Sequence, residues 1–288
     1  LAGEGIPCVA RGSDGEALFL AKDAVWVWTP GAATPVKRIC ATAPVVNAQD
    51  LFVATMPGSP LTDCLFISGH EKEDDTGGAF SAGPFYARQP GAENVFTSVF
   101  CRRVREATDG AFSADGRLFF VSECDLWEGG IAMEEDGGME RFGVLVGARI
   151  APLAILNTDE ANSGGMWAMD VFPAGRYLYV RLHGRHMTGI LRMEMPAKPM
   201  YAPASDDSPS VQSQLSAMHG ALSKTEVLNE DLGDAFGFCA TEAGGKPLFF
   251  YCDRTDAEGK GPAMFLWDGK SQPRIIGFGV YIWNVEQT

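Results

Sequence analysis

The chain has 288 residues, 46% of them hydrophobic and 21% charged, with a formal net charge of −14. That balance excludes an intrinsically disordered chain, and the length can bury a large core without disulfide or metal staples. The acidic excess repels phosphate backbones, which excludes nucleic acid as a partner, and no apolar run reaches the ~20 residues of a membrane helix.

Taken in chain order, the sequence repeats one pattern of short strands. The first unit opens with Cys8-Val9-Ala10, turns at Asp14-Gly15-Glu16 and continues as Leu18-Phe19-Leu20. Ala24-Val25-Trp26-Val27-Trp28 then alternates as a third strand, and Val36-Lys37-Arg38-Ile39 is a fourth. The second unit has Leu51-Phe52-Val53, a longer turn at Pro60-Leu61-Thr62-Asp63, then Leu65-Phe66-Ile67, Phe85-Tyr86-Ala87-Arg88 and Val95–Val99. The third has Ala111-Phe112-Ser113, Asp115-Gly116-Arg117, Leu118-Phe119-Phe120 and Ile150–Leu153, with an acidic segment read as a loop over 123–136. The fourth has Trp167-Ala168-Met169, Ala174-Gly175-Arg176, Leu178-Tyr179-Val180 and Ile190–Met195. The fifth has Phe236-Gly237-Phe238, Gly244-Gly245-Lys246, Leu248-Phe249-Phe250, Ala263–Trp267 and Pro273–Ile276.

The element Leu-aromatic-apolar recurs in all five units, its leucines 47, 53, 60 and 70 residues apart. A short apolar run of this kind suits a strand buried on both faces. Glycine just before four of the copies supplies the positive φ of a tight hairpin. Repeats of four antiparallel strands describe a β-propeller; the competing architecture for many short strands is a two-sheet sandwich. The fold expected is therefore all-β, a single propeller over 1–288 with five blades of four strands. The expected blades span about 1–48, 49–101, 102–160, 161–232 and 233–288. Val280–Val285 is one strand too many, so it either closes the ring on the first blade or forms part of a sixth. Ser208 as an N-cap, Pro209 at the first helical position and the stripe Val211, Leu215, Met218, Leu222 predict a short helix over 208–223, inserted in blade four.

The segment from Asp109 through Phe112-Ser113-Ala114-Asp115-Gly116-Arg117 to Ser122 resembles the WD-like repeat of TolB-type propellers, with Ala114 where that family prefers proline. Met169–Val180 is a second, looser match, with Ala174 in place of the aspartate. The resemblance implies the propeller fold and no particular activity.

Propellers present the loops after their second strands at one end. That end would gather His70 and Glu71, Asp125 and Trp127, His183, Arg185 and His186, and Asp253 and Arg254 into a ligand-binding face. Polar loops on a rigid scaffold are where binding commonly resides. Asp50, Asp109 and Asp234 each stand just before a first strand and are candidate catalytic carboxylates at the mouth of the central channel. A pair about 5–9.5 Å apart suits glycoside cleavage; the structural reading of the same aspartates is backbone capping. His183 and His186 have a metal-like spacing but lack further ligands nearby, so no metal is expected. The motifs of phosphate-binding loops, dinucleotide folds and hydrolase elbows are absent, so no cofactor is expected.

Seven cysteines, an odd number, leave at least one thiol unpaired within the chain. Cys239 and Cys252 flank the fifth hairpin and are either a cross-strand disulfide or two buried thiols. The opening Leu1–Gly5 has no basic or apolar leader character, and an extracytoplasmic chain, periplasmic or secreted, is the expectation. The leading function is a non-enzymatic binding or scaffolding module for a protein or glycan partner. The alternative is a glycan-active hydrolase or lyase. The oligomeric state is not legible.

Overall fold

The computed structural model describes residues 6–12, 14, 16–21, 23–55, 58–59, 61–71, 84–91, 95–99, 104, 107–122, 125–136, 139–152, 166–184, 188–195, 197, 199, 226–229, 235–253, 263–278 and 282–285. They form five sheets, one for each repeat of the sequence. The first contains β1 (Ile6–Arg11), β2 (Ala17–Leu20), β3 (Ala24–Trp28) and β4 (Val36–Ala41). The second is β5 (Val45–Val53), β6 (Leu65–Glu71), β7 (Phe85–Arg88) and β8 (Thr97–Val99). The third is β9 (Asp109–Phe112), β10 (Leu118–Ser122), β11 (Asp125–Asp136) and β12 (Met139–Pro152). The fourth is β13 (Met166–Ala174), β14 (Tyr177–Gly184), β15 (Thr188–Glu194) and β16 (Glu226–Asn229). The fifth is β17 (Ala235–Ala243), β18 (Lys246–Asp253), β19 (Ala263–Trp267) and β20 (Arg274–Phe278). A last strand, β21 (Ile282–Val285), joins the first sheet.

Within each sheet the strands follow chain order and each of the four repeat strands pairs antiparallel with the next. The first strands β1, β5, β9, β13 and β17 pack side by side, each against the next, as the inner ring of a five-bladed propeller. The repeated Leu-aromatic-apolar element is the second strand in every blade, as its two-sided apolar character requires. Leu118, Phe119, Phe120 and Val121 are all fully buried.

The core lies between blades rather than inside them. One apolar cluster joins Leu18, Leu20 and Val25 of the first blade to Leu51, Ile67 and Tyr86 of the second. Another joins Phe52, Phe66 and Phe85 to Leu118 and Phe120 of the third. Phe119 and Val121 then meet Val171 and Val180, and Phe172 and Tyr179 meet Phe249 and Trp267. Alternate residues of each second strand therefore face opposite neighbours, which is why a continuous apolar run is needed there.

The ring closes through β21. It runs parallel to β1, with Ile6 opposite Ile282 and Val9 opposite Val285, and also lies against β17 and β18. Of the two sequence-based readings of the final segment, closure on the first blade is the one found. The expected helix over 208–223 lies outside the described residues. No helix of the described residues is long and apolar enough to cross a membrane.

One segment departs from expectation. Residues 125–136, read as a loop, form β11, paired along its length with β12. Only Asp125–Gly129 also pair with β10; the rest continue past Leu118 with β12 alone. This arm carries Glu134, Glu135 and Asp136 toward the end where first strands turn into second strands, opposite to the end predicted for them. Gly129-Gly130 and the run of acids hide the alternation, so the strand is held by its partner rather than by its own pattern.

Candidate functional site

An innermost propeller strand has a neighbour on one side only, and its other edge needs hydrogen-bond partners. The first blade meets this need with β21. The next three blades place an aspartate at the same register position, where Asp50 faces Ser68, Asp109 faces Val121 and Asp170 faces Arg181 across the hairpin. Asp50 Oδ2 accepts the backbone N–H of Gly110 at 3.2 Å. Asp109 Oδ2 accepts that of Val171 at 2.6 Å. Each carboxyl thus reaches from its own inner strand to the next, at the residue that follows the next aspartate.

The series has two ends. Toward the first blade, Asp50 Oδ1 accepts the Cys8 thiol at 3.4 Å, and the Cys8 sulfur accepts the N–H of Leu51 at 3.2 Å. Toward the fifth, the Asp170 carboxylate accepts the Nε–H of Arg181 in a buried ion pair. Exposure falls to 0% at Asp50, 1% at Asp109, 3% at Asp170 and 2% at Arg181. Burial pushes the Asp50 carboxyl up to about 6, against hydrogen bonds from Asp109 and Cys8 that hold it down. Burial, then repulsion from Asp50 and Asp170, pushes Asp109 well above the usual carboxylate range. Burial also raises Asp170, opposed by the Arg181 guanidinium. The Cys239 thiol, on β17, is pushed up to about 12 by burial and by the charges of Asp109 and Asp170.

Of the three carboxylates expected at the channel mouth, Asp50 and Asp109 come together, and Asp234 lies outside the described residues. The third member found is Asp170, which the sequence reading passed over. Its signal was present: Asp170 precedes Val171 as Asp50 precedes Leu51 and Asp109 precedes Gly110. A shorter hairpin hides the equivalence when aspartates are matched by distance from the turn. None of the three is exposed, and each has a hydrogen-bonding task within the protein.

His70, Glu71, His183 and Asp253 lie at or near the ends of the second strands β6, β14 and β18, and Asp125 begins β11 beside the end of β10. These strand ends share one end of the propeller. His70 is half-buried. Arg185, His186 and Arg254 lie outside the described residues. Trp127 is not a loop residue: it sits on β11, half-buried, with its ring stacked on Phe120 at 6.1 Å and 9°. There it covers the core between the second and third blades.

The described clefts open at the opposite end. One of about 230 Å³ lies between the first two blades, beside Asp14, Glu16, Asp63 and Arg88. Another of about 350 Å³ lies between the third and fourth, beside Asp115, Arg117 and Arg176. Arg117 is itself buried and ion-paired to Glu128 at 2.6 Å, so it anchors β10 to β11. Among the described residues, no three His, Cys, Asp or Glu side chains are arranged to hold a metal ion. Cys239 and Cys40 are buried free thiols. A β-bulge between Phe236 and Cys239 sets Cys239 opposite Phe250 and Phe236 opposite Cys252, so the two cysteines of this hairpin do not face each other.

The chain matches no protein-family model and no curated protein. Solved propellers do align with it over most of its length. A TolB candidate from Agrobacterium tumefaciens shares 13% identity over 95% of this chain and 81% of its own, with a TM-score of 0.49. An exo-1,5-α-L-arabinanase from a bovine ruminal metagenomic library shares 12% over 95% and 97%, with a TM-score of 0.41. A PQQ-bound aldose sugar dehydrogenase from Streptomyces coelicolor shares 13% over 92% and 94%, with a TM-score of 0.38. The architecture itself rests on the chain's own sheet order: five radial antiparallel sheets closed by a parallel C-terminal strand.

Proposed function

We propose that the chain is a non-enzymatic binding or scaffolding propeller that takes a protein or glycan partner on the end where its second strands finish. The contacts would come from His70, Glu71, Asp125, His183, Arg185, His186, Asp253 and Arg254. The observation that carries this reading is the state of the axial carboxyls. Asp50, Asp109 and Asp170 are buried and engaged with Gly110, Val171 and Arg181. Residues that hold blades together in this way are not open to a substrate. A periplasmic or secreted setting belongs to the same proposal.

A glycan-active hydrolase or lyase is the second reading. What favours it is that burial holds the Asp50 and Asp109 carboxyls above the ordinary range, as a general acid requires. Against it, both carboxyls are buried and already accept backbone N–H groups of the next blade, at Gly110 and Val171.

The test combines binding and turnover. The purified chain is titrated with neutral and uronate-containing oligosaccharides, following Tm and the release of reducing ends or unsaturated products. A ligand bound only by the folded chain stabilises it by RT ln(1 + [L]/Kd), about 2.7 kcal/mol at one hundred times Kd. The expected result is no turnover, with any Tm rise lost in the His70→Ala/Asp253→Ala variant and kept in Asp109→Asn. Turnover abolished by Asp50→Asn would replace this reading by the second. No shift with any sugar restricts the partner to protein.

A further inference from the structure

We propose that the outer hairpin of the first blade, β3–β4, docks an acidic extended segment of a partner protein, which adds as a strand beside Val36-Lys37-Arg38 of β4. This surface lies on the rim of the propeller and is independent of the end assigned to a partner above. The argument begins with exposure. Two of the exposed large apolar side chains, Trp28 at 45% and Val36 at 37%, are direct cross-strand neighbours. Every residue from Trp28 to Arg38 is exposed. The fifth blade gives the contrast. Trp267 likewise ends a third strand, but it is 5% exposed and its Nε1–H donates to the carbonyl of Ser271 at 2.7 Å. An exposed indole beside an exposed valine is apolar surface that a partner's side chain can remove from water.

Topology presents the hairpin. β21 takes the inner end of the first sheet, so β4 is the fifth strand in its order, where the outer strand of each other blade is the fourth. Val27 turns toward the core shared with the second blade, so Trp28 and its partner Val36 lie on the opposite face. The turn between them is braced. Thr29 N–H donates to the Pro35 carbonyl at 2.8 Å and Ala32 N–H to the Thr29 carbonyl at 3.3 Å, and Pro30 and Pro35 restrict the backbone further. Among the described residues β4 pairs with β3 alone, so its outer edge offers backbone donors and acceptors to an added strand. A braced edge loses little freedom on binding.

Charge selects the occupant. The chain has 37 acidic and 23 basic residues, yet the charged residues between Ala24 and Gln49 are Lys37 and Arg38, both exposed. Cations on an edge strand repel a second copy of the same edge and attract carboxylates. A strand added here sets an apolar residue beside Val36, next to Trp28, and acidic residues opposite Lys37 and Arg38. At physiological salt, charges more than about 8 Å away are screened, so these local pairs set the preference rather than the overall charge.

The test uses two labelled threonine-rich octapeptides, one with a central Glu-Glu-Val run and one with Lys-Lys-Val, titrated with the full chain by fluorescence anisotropy. The acidic peptide should bind about tenfold more tightly, because two cross-strand ion pairs replace two like-charge contacts. Lys37→Glu/Arg38→Glu should reverse the preference, and Trp28→Ser should weaken both peptides. Salt at 1 M should remove the difference between them. All three side chains are exposed, so the variants keep the fold, which an unchanged Tm checks. Two controls should change nothing: Arg274→Glu/Ile276→Ser on the outer strand of the fifth blade, and His70→Ala/Asp253→Ala. Loss of binding in either control places the site elsewhere and overturns the proposal. So does equal affinity for the two peptides, no binding of the acidic one at millimolar concentration, or a preference that survives Lys37→Glu/Arg38→Glu. A dimer in analytical ultracentrifugation that the same double variant abolishes would give this edge to a second copy of the chain, and overturns it too.

Discussion

Replacing Arg181 by methionine is expected to cost about 3–5 kcal/mol of stability, the usual penalty for stranding one partner of a buried ion pair. Arg181 is 2% exposed and its guanidinium is directed to the Asp170 carboxylate, itself 3% exposed. Methionine fills much of the same volume and removes the charge, so the loss reads the electrostatics rather than a cavity. Asp170 would then face Asp109 without its Arg181 partner, at the point where the third and fourth blades meet. Calorimetry should show a fall in Tm on the order of 10 °C, given about 2–4 °C per kcal/mol for a large domain.

Two controls give that result its meaning. The double variant Asp170→Asn/Arg181→Met carries neither charge and should recover most of the loss, because a neutral replacement of a buried pair is often nearly neutral. The single variant should also depend on pH. Without Arg181 the Asp170 carboxyl loses the group that opposes its burial, so its pKa rises further. Stability is then retained where Asp170 is protonated and lost as pH rises through that pKa, making the variant weaker at pH 8 than at pH 5. A penalty unchanged by Asp170→Asn and flat in pH would mean that Arg181 acts by packing alone.

The strand framework was legible because its signal is local. Leu118-Phe119-Phe120 needs an apolar neighbour on each face, and only the second strand of a blade offers two. β11 was illegible for the complementary reason. Its register is imposed by β12, and Gly129-Gly130 with the acids that follow show no alternation of their own. Trp127 looked like an exposed ligand-binding aromatic because charged residues surround it in sequence, yet its ring faces Phe120. The axial site shows the same limit. An aspartate before an apolar strand is visible in the sequence, but its partner is not: Asp50 bonds to a backbone group 60 residues away. Whether such a carboxylate caps a turn, faces a channel or bridges two blades depends on the ring as a whole.

Gly110→Ala is the second substitution with a large expected effect, because the inner strand passes over the aromatic core with no room for a methyl group. A Cβ at Gly110 would lie 2.8 Å from Cζ of Phe85 and 3.1 Å from the ring edge of Phe52. Neither ring can turn aside cheaply. Phe85 meets Phe52 edge-on at 5.0 Å and Phe120 edge-on at 5.5 Å. Phe52 stacks on Phe66 at 5.1 Å and touches Phe112 at 5.8 Å. All but Phe112 are fully buried. The strand must therefore shift instead, and the group it would displace is the Gly110 N–H that Asp50 accepts. Overpacking of this kind costs about 1–3 kcal/mol, and losing a hydrogen bond to a buried carboxylate adds about 1.5–3 kcal/mol. Denaturant unfolding of Gly110→Ala, Phe85→Leu and the double variant separates the two contributions. If the clash dominates, Phe85→Leu removes the ring tip nearest the new methyl, and the double variant should be more stable than the sum of the single losses predicts. Strict additivity would place the damage in the strand edge, at the bond between Gly110 and Asp50, and not in the aromatic packing beneath it.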